Sequence, residues 1–460
     1  MERKPDIFLS GILGLIMILS LINYCYLDLQ IIVRHSLNLW DCLFRGEIFK
    51  FYQTGSQLPI GMTNPLNGEV PYDIWVYVPT AVWNLPVYIW EKITGLTFET
   101  NLLALIWART GNMVPFAASL WAMWKLLQEL GKDSVQRLWG CYLFSGSMFL
   151  LNGLFCLGQI DILNVFFMLM GVNAFIRKNR KKFLLWFALS ITCKMFALFV
   201  FLPLLVFMEK RILFMIRDTI AAMSLTLLSK CLFFWDKMNT PTQFDERRFI
   251  RFLFERKLDL AEVSISLFVL AFAGLLIWCW YKKYDEEKYP YWAVWIAFAG
   301  YSCFFVAADT YPYWAVVFSP FLPILIMLYS EKGKILLWLE TAAGASYFIF
   351  GLCNYGYAYA AEANTRWMLA GVLSNRQIKG IDPSKIYETL SPGAQQNIEA
   401  LLLGIFAVSI ISSLVITWPE RSGKSMQLQT EWEIDRGSLY IRLGLNSFLT
   451  LLPLILYLAF

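Results

Sequence analysis

Apolar runs of about 18–22 residues recur along the whole chain, each long enough to cross a hydrocarbon core of about 30 Å. Short polar stretches separate them. Backbone inside lipid must satisfy its own hydrogen bonds, so this pattern predicts an all-α polytopic membrane protein. The first run, Ile7 to Tyr26, follows Met1-Glu2-Arg3-Lys4-Pro5-Asp6 and lacks a small-residue cleavage site. It is expected as a retained helix rather than a signal peptide. The later runs predict helices near 110–127, 138–157, 162–176, 220–235, 264–281, 291–307, 313–328, 335–353, 398–418 and 439–456. The run Leu184–Phe207 is interrupted at Cys193-Lys194 and ends near Pro203, which predicts two half-helices with Lys194 at the break. The total is about 13 helical segments, read as transmembrane.

One stretch breaks the pattern. Residues 28–109 are too polar to span and too aromatic for a plain solvated loop. From Leu29 to Phe44, apolar Leu29, Ile32, Val33, Leu37, Trp40 and Phe44 fall near the helical period, with Arg34, His35, Asn38 and Asp41 between them. That spacing suits a helix lying in the interface. Gln53–Pro71 is rich in Gly, Pro, Asn and Thr and reads as irregular loop. Asp73–Lys92 carries Pro79, Asn84, Pro86 and spread Trp and Tyr residues, which predicts a juxtamembrane helix.

Charge decides between spanning and lying flat for Asp73–Lys92. If it spans, the basic cluster Arg177–Lys182 falls outside, against the positive-inside rule. If it lies flat, that cluster falls inside with Lys125/Lys132/Arg137, Lys210/Arg211/Arg217, Lys282/Lys283, Lys332/Lys334 and Arg421/Lys424. The flat reading places the N-terminus in the cytoplasm, and the C-terminus and the 28–109 loop outside a cell membrane. Composition agrees on class: 58% of residues are hydrophobic and 16% charged, against about 25% charged in soluble domains. The net charge of +5 carries no nucleic-acid signal. Nine scattered Cys and a single His leave no metal-ligand spacing, so no metal site is expected.

Four polar signals fall on the external side of this topology. Asp28, where the first helix emerges, suits a general base, or simply a helix-end acid among headgroups. Gly158-Gln159-Ile160-Asp161 joins two helices with almost no loop; its side chains can share a cavity, or Asp161 can cap the next helix. Lys194 lies inside an apolar run, where an ammonium is costly unless paired or wet, and a phosphate is its natural partner. Asp309-Thr310-Tyr311-Pro312-Tyr313-Trp314 forms a tight turn of interfacial composition. Arg109, Arg247, Arg248, Arg251, Arg256 and Arg366 are external cations within reach of anionic headgroups, and His35 is a polar residue on the interfacial helix.

These motifs resemble the GT-C superfamily of integral-membrane glycosyltransferases, which use polyprenyl-phosphate-linked sugars. The likeness covers about Ile7 to Pro203. It rests on Asp28 after the first helix, Leu43-Phe44-Arg45-Gly46 through Tyr52, Tyr77-Val78-Pro79 through Leu85-Pro86, the Gly158-Gln159-Ile160-Asp161 turn, and Lys194 with Pro203. The Asp309–Trp314 turn is similar to the family's His-Pro-aromatic turn, with Asp309 in place of the usual His. Gln30 stands where metal-using members carry the second acid of an Asp-x-Asp pair, so a divalent metal lacks its usual ligands.

The resemblance implies inverting transfer of a hexose, mannose or glucose, from a polyprenyl-phosphate donor to an extracytoplasmic lipid or glycan acceptor. Asp28 would be the catalytic base. Lys194, with Arg109, would bind the donor phosphate. Gln159, Asp161, Asp309, Tyr311 and His35 would line the sugar or acceptor pocket. No tightly bound cofactor is implied. Residues 1–330 would form the catalytic module and 331–460 a variable set of C-terminal helices. Two other readings stay open: a flippase or transporter of a lipid-linked sugar, and a catalytically inactive membrane subunit.

Overall fold

The computed structural model describes residues 5–58, 70–236, 251–260, 263–283, 285–359, 383–420 and 434–459. It is about 81% helical. Among the described residues the one sheet is an antiparallel hairpin, Lys257–Leu260 with Val263–Ser266, in which Lys257 faces Ser266 and Leu260 faces Val263. This hairpin is a departure from the all-helical expectation. Among the described residues, four helices are long and apolar enough to cross a membrane, and up to seven if each bent pair forms one span. Further apolar helices, including Ile74–Trp83, Ile162–Ile176 and Leu267–Tyr281, are shorter. The fold thus has the character of a multi-pass membrane protein. Within it, the helices differ in what they face. The span ending at Ala307 has 78% of its apolar window buried by protein, whereas Pro392–Ile416 has 22%. Leu401 and Val408 of the latter stand outward, a face that suits lipid.

Three runs break where one helix was expected, and a further bend falls between two helices expected as separate. Ile7–Asn23 and Leu27–Phe44 meet at 65°, and the second is the helix expected in the interface. The run near 138–157 divides into Ser134–Ser145 and Met148–Cys156, bent by 46°, and Leu151–Cys156 is a π-helical turn. The run near 220–235 becomes Ile212–Ala222 and Ser224–Leu232, bent by 57°. The run near 313–328 begins with a 3-10 helix, Pro312–Phe318, before Phe321–Leu328.

After Leu27–Phe44, the 28–109 segment continues in the short helices Phe51–Gly55, Ile74–Trp83, Leu85–Thr94 and Leu102–Thr110. Arg34 ties these pieces together. Its guanidinium bonds Glu99 and also Glu91, with Nη1 at 3.2 Å from Glu91 Oε2, and lies 4.7 Å from the Phe98 ring. A planar fork of this kind satisfies two carboxylates at once.

The C-terminal helix Arg436–Ala459 is pinned to the N-terminal half by a polar stripe at helical spacing. Arg442 bonds Glu340 at 2.7 and 3.1 Å and the Leu143 carbonyl at 2.8 Å, with both charged side chains buried. One turn on, Asn446 donates to the Gly146 carbonyl at 2.9 Å. Another turn on, the Thr450 carbonyl accepts from Tyr24 Oη at 2.7 Å. Tyr24 sits in the bend between the first two helices, so the tail helps to set the angle at which Asp28 enters.

Candidate active site

The site starts from the break at Lys194. Helix Arg180–Cys193 ends there because Lys194 adopts an extended backbone, φ −155° and ψ 117°, before a 3-10 turn and helix Leu198–Met208. At the break the Ser190 and Lys194 carbonyls still accept from the Lys194 and Ala197 N–H groups, each at 3.0 Å. Asn164, on the neighbouring helix Ile162–Ile176, adds a side-chain bond to each: its Nδ2 donates to the Ser190 carbonyl at 2.8 Å and to the Lys194 carbonyl at 3.3 Å. Pro203 does not end the second half-helix but lies buried inside it.

The second element is the turn after the π-helical segment. Gly158 has φ +62°, a left-handed conformation that side chains resist. A Cβ there would touch Leu29 at 3.5 Å, so the turn lies directly against the residue following Asp28. Asn112 holds the Gly158 carbonyl at 2.8 Å, and the Gln159 N–H returns to the Gly153 carbonyl at 2.8 Å. Asp161 stands at the start of helix Ile162–Ile176 but its side chain makes no capping bond. The capping alternative is therefore not what the carboxylate does.

Asp28, Gln159, Asp161 and Lys194 come together. Gln159 Nε2 donates to Asp28 Oδ2 at 2.9 Å. Lys194 Nζ lies 3.1 Å from Asp161 Oδ2, both side chains being buried. Three rings from separate parts of the chain surround the ammonium: Trp314 at 5.0 Å, Phe196 at 5.2 Å and Tyr72 at 5.5 Å. Gln159 Oε1 and Asp161 Oδ1 are buried without a hydrogen-bond partner. Two unsatisfied acceptors beside an ammonium suit a ligand that carries both hydroxyls and negative charge. Asp28 lies beyond the end of the first helix, at the bend. Burial there pushes its carboxyl above the ordinary range; the Gln159 bond and the Lys194 charge oppose this, and the Asp161 charge adds to it.

Other expected residues lie elsewhere. Arg109 is buried behind the turn, donating to the Phe155 carbonyl, in the electrostatic neighbourhood of Tyr24, Cys25 and Cys156. Its bond to Phe155 supports the turn that carries Gln159. His35 is fully buried two turns along from Asp28, edge-on to Tyr77 at 5.7 Å, and packs where Gly55 passes. Tyr311 reaches the site through one intermediary: its ring meets Trp314 at 4.8 Å, and Trp314 faces Lys194. Asp309 anchors the turn by its backbone N–H, which donates to the Phe252 carbonyl at 3.0 Å. Arg251 pairs with Glu255, and Arg256 donates to the Val306 carbonyl. Arg247, Arg248 and Arg366 lie outside the described residues. Tyr72, Asn164 and Trp314 join the site without having been singled out in the sequence, although Trp314 lies within a motif that was. Among the described residues, no group of three or more His, Cys, Asp or Glu side chains is arranged to hold a metal.

The tight turn carries a direct prediction. Gly158→Ala forces a side chain into left-handed backbone, at a cost of about 1–2 kcal/mol. Its methyl also meets Leu29. The expected result is a lower unfolding temperature in detergent and a weakened Gln159–Asp28 contact. Unchanged stability would show that the turn relaxes freely. Comparison with family models, curated proteins and solved structures returned no match to this chain, so what carries a functional reading is the local convergence of Asp28, Gln159, Asp161 and Lys194.

Proposed function

We propose that this protein is an inverting glycosyltransferase of the GT-C architecture, moving a hexose from a polyprenyl-phosphate donor to a lipid or glycan acceptor. The single observation supporting this is the meeting of a hydrogen-bonded carboxylate, Asp28, with a buried ammonium, Lys194, across one polar cluster. Inverting transfer needs those two functions in one site, on opposite sides of the anomeric carbon: a base on the acceptor hydroxyl and a cation for the leaving phosphate.

In this reading Asp28 takes the proton of the acceptor hydroxyl as that oxygen attacks the anomeric carbon. The bond from that carbon to the phosphate oxygen breaks, and the phosphate leaves with the electron pair. Lys194 has three donors. Asp161 engages one, and the rest meet the phosphate. Gln159 holds Asp28 in orientation through Nε2 and offers Oε1 to a sugar hydroxyl. Tyr72 and Trp314 provide faces against which a sugar ring packs. Arg109 acts through the turn it supports. The proposal carries the wider topology with it: about 13 helical segments, a cell-membrane location with the N-terminus cytoplasmic, and the site facing outside. It requires no tightly bound cofactor.

The test is transfer of labelled hexose in proteoliposomes from a polyprenyl-phosphate donor and, separately, from a nucleotide-linked donor. Turnover with the first alone is expected. Transfer from the nucleotide sugar would overturn the donor class. Movement of intact lipid-linked sugar across the bilayer without transfer would replace the reading with a flippase.

The raised Asp28 carboxyl adds a pH signature. A base works only when deprotonated, so transfer falls as pH drops through the folded-state value. Burial places that limb above the about 3.9 of an ordinary aspartate. Gln159→Met removes a bond that holds the value down and should move the limb higher still. A wild-type limb at or below the ordinary value, or no movement in Gln159→Met, would count against Asp28 as the base.

A further inference from the structure

Asp73 is a fully buried carboxylate that the transfer chemistry above does not use. It precedes helix Ile74–Trp83, where an aspartate ordinarily caps the first turn, yet its side chain makes no capping bond. Tyr52 takes that place: its hydroxyl accepts from the Ile74 N–H at 3.0 Å. The Asp73 carboxylate turns the other way. Its Oδ2 accepts from Thr192 at 3.2 Å and from Thr226 at 3.0 Å, and Lys230 adds an opposite charge.

Those partners belong to different parts of the bundle. Thr192 stands two residues before Lys194, at the end of helix Arg180–Cys193. Thr226 belongs to helix Ser224–Leu232. Asp73 therefore joins the 28–109 loop to both at once. The residue before it is Tyr72, whose ring faces Lys194 and whose electrostatic neighbours include Asp161 and Asp28. The Tyr72 N–H is itself held, donating to Tyr77 Oη at 3.2 Å. A buried carboxylate is costly unless its bonds are made. Here Oδ2 makes its bonds to the two helices against which the loop must be held, while Oδ1 makes none.

We propose that Asp73 is a positioning residue: it latches the loop onto the broken helix and so fixes the Tyr72 ring against Lys194. The latch is a statement about the chain itself, whereas its effect on donor binding rests on the transfer reading. The experiment therefore has two arms, both on the full chain in nanodiscs. Hydrogen exchange reads the backbone amides of residues 72–76. In Asp73→Ala their exchange is expected to speed by about ten-fold or more, while the amides of helix Ile162–Ile176 keep their protection. Asp73→Asn keeps an oxygen for the two threonine hydroxyls and should restore most of the protection. Unchanged exchange in Asp73→Ala would overturn the latch whether or not the protein transfers sugar.

The kinetic arm uses a polyprenyl-phosphate hexose. Asp73→Ala is expected to raise the donor KM by about ten-fold with kcat within about two-fold, the pattern of a misplaced binding group. Asp73→Asn should rescue it. Tyr72→Leu should raise KM similarly, and Asp73→Ala/Tyr72→Leu should be no worse than either single change, because both act through one ring. Additive effects, or a faster-exchanging loop with an unchanged KM, would overturn the positioning role. If Asp73→Ala fails to fold, Thr192→Val and Thr226→Val each remove one donor and carry the same two readouts. A wild type without turnover would sink the transfer reading alone, and the exchange arm would still decide the latch.

Discussion

Asp28→Asn is expected to cut transfer by about 10²–10⁴, the range for removing a general base, and to leave the fold intact. The substitution is nearly isosteric. Asparagine still presents an oxygen to Gln159 Nε2, so the 2.9 Å contact that orients the side chain survives. What disappears is the capacity to take a proton. Donor binding should change little, because Lys194 and its partner Asp161 are untouched. The measurement is single-turnover transfer in proteoliposomes, with donor KM and unfolding temperature measured on the same preparations. A drop in kcat at constant KM supports the base role. Equal turnover in both proteins would remove Asp28 from the mechanism. Loss of activity together with loss of stability would mean that Asp28 serves the fold.

The Lys194–Asp161 pair carries the other large effect. Lys194→Met leaves Asp161 buried and without its counter-charge, a change that typically costs about 3–5 kcal/mol. The double change Lys194→Met/Asp161→Leu should recover most of that stability, because two apolar groups of similar volume replace two charges. It should not recover transfer. Thermal unfolding in detergent separates the outcomes, and the coupling between the two sites is read from the double-mutant cycle. If the single change is as stable as the wild type, the ammonium is not the counter-charge of Asp161. If the double change restores both stability and transfer, the cation has no part in handling the leaving group. Tyr72, Phe196 and Trp314 sharpen this test, since their rings favour a cation at this position and accommodate a methionine with little change in packing.

Much of the frame was legible because membrane solvation leaves few choices. An apolar run can only be helical in lipid, so helices such as Ile162–Ile176 and Gly333–Asn354 follow closely from composition. The break at Lys194 was also legible. A charged residue inside such a run is a local conflict, and here the backbone departs from helix at that residue. The same reasoning found Leu27–Phe44, whose polar residues alternate with apolar ones at helical spacing. It missed the 46° bend near Gly146 and the 57° bend near Met223, although Ser145-Gly146-Ser147 marks the first. The bend near Gly146 is bonded by Arg442 and Asn446, about three hundred residues further along the chain.

The candidate site divides along the same line. By itself, the sequence determined the helical class, the helix after the first bend, the glycine-dependent turn before Asp161 and the interrupted run at Lys194. Each follows from one residue's conflict or agreement with its immediate neighbours. Tertiary structure alone decided that Asp161 pairs with Lys194 instead of capping its own helix, and that Gln159 holds Asp28. It also decided that Arg109 and His35 are packed away from the ammonium, and that Tyr72, Asn164 and Trp314 are drawn to it. The physical reason is that a buried polar group is stable only beside a partner. Which partner is available depends on contacts between segments far apart in sequence, and no local pattern encodes those contacts.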